Sequence, residues 1–82
     1  QVIEDAIIKH PPPSRGNQQL KIYYVTQTEI NPPTFVFFVN NIKLLHFSYR
    51  RYLENKLHES FGYDSNPLCM VFRDRKESKN DN

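Results

Sequence analysis

The run Phe35-Val36-Phe37-Phe38-Val39 has no polar residue on either face of whatever strand it forms. A strand with one wet face alternates apolar and polar side chains; a strand covered on both faces need not. A chain of 82 residues has little with which to cover two faces. A core of this size leaves a thin margin, roughly 3–5 kcal/mol near the 70–80-residue mark. Yet the chain carries five Tyr and six Phe, more bulky apolar surface than one small core consumes, which implies an external partner for part of it. The length fits one domain. The chain therefore reads as a docking module of a larger protein rather than a self-contained enzyme, and its start at Gln1 rather than Met agrees with a longer parent.

Around that run the order of elements is legible. Val2, Ile3, Ala6 and Ile7 form one stripe and predict the end of a helix over 2–9. Pro11 stops it, because the residue before a proline is pushed out of the helical region. Residues 11–19 read as a linker, stiffened by Pro11-Pro12-Pro13 and turned at Gly16. Residues 20–28, rich in Ile, Tyr, Val and Thr, predict a first strand, and 34–39 a second. The short link through Asn31-Pro32-Pro33 suits an antiparallel hairpin. Asn40 and Asn41 are N-cap candidates for a helix to about Ser60, with Leu45, Tyr49, Tyr52, Leu53 and Leu57 on its apolar arc and Gly62 placed to end it. Pro67 introduces a third strand, Leu68 to Phe72.

The expected fold is α+β, in the order α-β-β-α-β, a two-layer domain whose three-stranded sheet carries both helices on one face. The boundaries are 1–19 for helix end and Pro-rich link, 20–73 for the core, and 74–82 for a charged tail expected to be disordered. The other sheet face is then bare. Tyr23, Val25, Phe35, Phe37, Val39, Cys69, Val71 and Arg73 are its candidate residues.

Several chemistries are excluded. Gly16 and Gly62 are the only glycines, so neither a GxxxxGK[ST] phosphate loop nor a GxGxxG turn exists in this chain, and neither does a backbone-clamping GxxG. His46, Ser48 and Asp64 make a triad only on paper, since residues two apart on a helix do not face each other. His10, His46, His58 and Cys69 lack metal-ligand spacing. The chain is read as non-enzymatic, with no cofactor and no small-molecule substrate of its own. A single cysteine forbids an intrachain disulfide and favours a cytoplasmic setting. No apolar run is long enough for a membrane-spanning helix.

Net charge is +2, too mild to imply nucleic acid by itself, but the cations cluster. Lys43, Arg50, Arg51 and Lys56 share one segment, and Arg75 and Lys76 stand in the tail. These six are the candidate contacts to RNA phosphates, against the plainer reading of a solvated helix face. Tyr23, Tyr24, Phe35 and Phe37 could stack bases, but the run lacks interleaved Lys or Arg and reads better as packing.

Three stretches together resemble a known family: Leu20 to Gln27, Asn31-Pro32-Pro33-Thr34-Phe35-Val36 with Phe38-Val39-Asn40, and Leu44-Leu45-His46-Phe47-Ser48-Tyr49-Arg50-Arg51-Tyr52-Leu53-Glu54-Asn55. With Phe61-Gly62 and Pro67 after them, they are similar to the closing, KH-like domain of the Der (EngA) bacterial GTPases. The likeness runs over about residues 20–73. It implies a parent with two GTP-binding domains, GTP and Mg in that parent, packing of this domain between them, and work on the large ribosomal subunit and its RNA. That packing would cover the bare sheet face. Asn41-Ile42 and Asp64-Ser65-Asn66 depart from the family's usual loop residues.

Overall fold

A computed structural model describes residues 2–62 and 67–74. The elements are helix α1 (Val2–Lys9), two short strands β1 (Ser14–Arg15) and β2 (Gln18–Gln19), strands β3 (Ile22–Ile30) and β4 (Pro33–Val39), a 3-10 turn (Ile42–Leu44), helix α2 (Phe47–Phe61) and strand β5 (Cys69–Asp74). The α-β-β-α-β order holds, with a small hairpin added. The tail beyond Asp74, including Arg75 and Lys76, lies outside the described residues.

The sheet order is β3-β4-β5. β3 and β4 form an antiparallel hairpin, and β5 joins β4 in parallel after the crossover through α2. Register fixes the two faces, because paired residues point the same way. Val25, Phe37 and Phe72 make one row, and Gln27, Phe35 and Met70 another; both rows face the helices. Ile22, Val39 and Asp74 make a third.

The core forms where this face meets one stripe of each helix. Ile3 and Ala6 come from α1; Tyr49, Leu53 and Leu57, at successive four-residue steps, come from α2. Phe37 stacks on Phe72, with ring centroids 4.6 Å apart. Full burial of a side chain such as Phe37 or Leu53 contributes about 1.5–3 kcal/mol. The helices are also tied by two hydroxyls: Tyr52 donates to the Ala6 carbonyl and Tyr49 to the His10 carbonyl, each at 2.8 Å. Helix α1, grouped above with the linker, is thus part of the core.

Three local readings are corrected. Residues 14–19 are not a plain linker: Ser14 pairs with Gln19 and Arg15 with Gln18 around Gly16, whose φ of 60° suits glycine. Asn40 caps no helix. Its backbone N–H donates to the Lys21 carbonyl, and its side chain accepts from the Lys21 N–H and donates to the Gln19 carbonyl, stapling the entry of β3 to the end of β4. Asn41 does cap, but it caps the 3-10 turn, accepting from the Lys43 N–H; α2 begins later, with His46 as its N-cap. Gly62 closes α2 at φ 91°, as expected from its position.

Candidate interaction surfaces

The face of the sheet turned away from the helices is built by the alternate residues of the same strands. Its rows are Tyr24–Phe38–Arg73, Thr26–Val36–Val71 and Glu29–Thr34–Cys69. Tyr24 and Phe38 stack at 4.5 Å between centroids. Val36, in the central row, is only 8% exposed, yet it is not part of the core cluster between sheet and helices. Its neighbours on three strands shield it. No described helix belongs to this side. Tyr24 is 57% exposed and Val71 36%, so the apolar surface continues outward. Arg73 and Glu29 stand at diagonally opposite corners, both exposed.

The structure places Cys69, Val71 and Arg73 on the outer face, whereas the expected assignment is reversed for β4 and for Val25 of β3. Phe35, Phe37 and Val39 are buried against the helices, and Val25 packs on the same core. Their places outside are taken by Val36, Phe38, Tyr24 and Thr26. Tyr23 sits at the register shift between Ile22 and Tyr24 and is exposed. Since β4 is apolar on both faces, alternation alone could not say which set turns inward. The register with β5 could, because Arg73 marks its own face as wet, and Val36 and Phe38 share that face.

A second surface lies at the start of α2. His46 Nδ1 accepts from the Ser48 N–H at 3.1 Å and lies 2.7 Å from the Ser48 hydroxyl. The two do face each other, because His46 is the cap and not a helical residue. The contact closes the helix end; among the described residues no carboxylate is bonded to the ring, as a nucleophile–base pair would need. His46 also stacks on Phe47, 4.8 Å between centroids, and Phe47 is 75% exposed. His46 also helps line a cavity of about 280 Å³, together with Pro13, Ser14, Arg15, Leu44 and Ser48.

The candidate cations divide. Lys43 and Arg51 are exposed, and neither has an ion-pair partner among the described residues. Arg50 is exposed but its guanidinium lies 5.5 Å from the centre of the Phe72 ring. Lys56 is engaged: it pairs with Glu59 at 3.6 Å and lies over the Tyr52 ring. Among the described residues no group of three His, Cys, Asp or Glu side chains is placed to hold a metal ion. No described helix is long and apolar enough to cross a membrane.

Residues 1–73 match the model of the KH-domain-like C-terminal domain of EngA bacterial GTPase enzymes. The chain belongs to that family. Relatives named GTPase Der include one from Thermomicrobium roseum, 54% identical over 78 residues, covering 95% of this chain. Others are from Clostridium acetobutylicum, 57% identical over 75 residues and 92% of the chain, and Clostridium novyi, 58% over 76 residues and 93%. In each case the match spans 17% of the relative's length. The EngA match begins at residue 1, so α1 falls within the family domain as it falls within the core.

Proposed function

We propose that this chain is the docking domain of a cytoplasmic Der-type GTPase, and that its outer sheet face seats against the GTP-binding domains of the parent chain. GTP and Mg belong to those domains, not to this one. The observation that carries the reading is the outer face itself: Val36 is closed off and Tyr24, Phe38 and Val71 are apolar around it, on a side that no described helix covers. Monomers seldom leave such a surface without a use. Val71→Asp tests it. This valine is on the edge strand and partly exposed, so the fold should survive, while association with the separately purified GTP-binding part should weaken tenfold or more. Unchanged association would remove the reading.

A second role is contact with the RNA of the large ribosomal subunit. Lys43, Arg50 and Arg51 support it: they are exposed and unpaired with carboxylates among the described residues. Lys56 contributes less, being held by Glu59. Such contacts position RNA without reading its sequence. Replacing Arg50 and Arg51 together by Gln should reduce ribosome association with little change in melting temperature. Full retention of binding would return the cluster to a solvated helix face.

A further inference from the structure

We propose that the start of α2 and the β1–β2 hairpin beside it form a site for unpaired RNA, with a base stacked on Phe47 and flanking phosphates held by Arg51 and Arg15. This deepens the RNA role above and rests on it. Phe47 opens α2, where its ring gains little from packing: it is 75% exposed and touches His46 on one side. A large aromatic ring held by one stacking partner and open on the rest is a platform for a base. Every base has a π-face, but only an unpaired one can reach a surface ring, so the ligand is single-stranded.

The surroundings supply the charge such a strand needs. Arg51 is four residues after Phe47 on the helix, and so on the same face, within about 5–6 Å at Cβ. It is exposed, without an ion-pair partner among the described residues. His46 also lines the cavity of about 280 Å³, near the lower end of small-ligand sites, with Arg15, Ser14 and Ser48 on its wall. Phe47, His46 and this cavity are continuous. A strand running along them meets an aromatic ring, Arg51 on the helix and Arg15 on the cavity wall. No GxxG is required, because stacking rather than a backbone clamp fixes the strand. The outer sheet face stays free for the parent's domains.

Fluorescence anisotropy of the chain with a short labelled single-stranded RNA tests this. Phe47→Ala should weaken binding about tenfold or more, from the loss of one stacked base, and Phe47→Tyr should restore it. Arg51→Gln and Arg15→Gln should each lower the slope of log affinity against log salt by about 0.7, the value for one single-strand phosphate contact. All three positions are exposed, so circular dichroism should show an intact fold; the arginine variants carry the test even if Phe47→Ala unfolds. Binding that is indifferent to Phe47 and to both arginines, or equal for duplex and single strand, overturns the site while leaving RNA contact elsewhere intact. No RNA binding by the unaltered chain overturns the site and the RNA role together, and leaves the docking role to its own test at Val71.

Discussion

Tyr49 shows how one side chain serves both layers. Its ring is buried among α1, α2 and the sheet, and its hydroxyl donates to the His10 carbonyl. Burial, with a smaller contribution from the nearby Tyr52, pushes its pKa from 10.0 up to about 12. The folded state therefore keeps a proton that the unfolded chain releases first. That part of the stability is fully present below pH 10.0 and is lost as pH rises towards about 12. Tyr49→Phe should cost about 1 kcal/mol at neutral pH, the net value of one hydrogen bond. It should also remove this component of the alkaline transition. Urea titrations of both proteins at neutral pH and across the alkaline range measure the two effects; an identical alkaline loss in the variant would place its origin elsewhere. Core and surface should separate sharply. Leu53, fully buried, should lose roughly 2–5 kcal/mol as Leu53→Ala, whereas Phe47→Ala should stay within about 0.5 kcal/mol.

At the scale of elements, both ends of α2 are set by single residues. His46 caps the first turn with a ring nitrogen, an acceptor outside the usual Ser, Thr, Asp and Asn set. His46→Ala should cost about 1 kcal/mol and His46→Asn should recover most of it, read as shifts in the thermal midpoint. Gly62, at φ 91° and ψ 156°, sits where a side chain is strained, so Gly62→Ala should cost about 1–3 kcal/mol. These ends also show what the sequence could and could not say. Gly62 was legible because only glycine suits that backbone. The start of α2 was not, because Asn40 and Asn41 are better caps on preference and both are spent: one staples β3 to β4, the other caps the 3-10 turn. The strands were legible from β-branched and aromatic residues, though each is offset by one or two positions. The β1–β2 hairpin was hidden by its length of two residues per strand. Of the candidate outer-face residues, those of β5 lie outside, as the charge of Arg73 suggests, whereas those of β4 lie inside, because β4 has no polar residue to mark a face.

For the whole molecule, the two-layer fold explains why so small a chain carries so much aromatic surface. One face of β4 builds the core with α1 and α2, and the other builds the outer surface with Tyr24 and Val71. Phe47, Arg50 and Arg51 lie on α2, on the other side of the sheet. On the proposed function, the parent's domains would meet the sheet and RNA would meet the helix. Cys69 offers the most direct measurement of the central claim. It is exposed, lies on the outer face in the row of Glu29 and Thr34, and is the only cysteine of the chain. Its rate of reaction with a maleimide can be followed by mass spectrometry, alone and with the GTP-binding part of a Der protein added. Docking through the outer face predicts fast labelling of the chain alone and at least tenfold protection in the complex. A complex that forms while Cys69 reacts at an unchanged rate would contradict it.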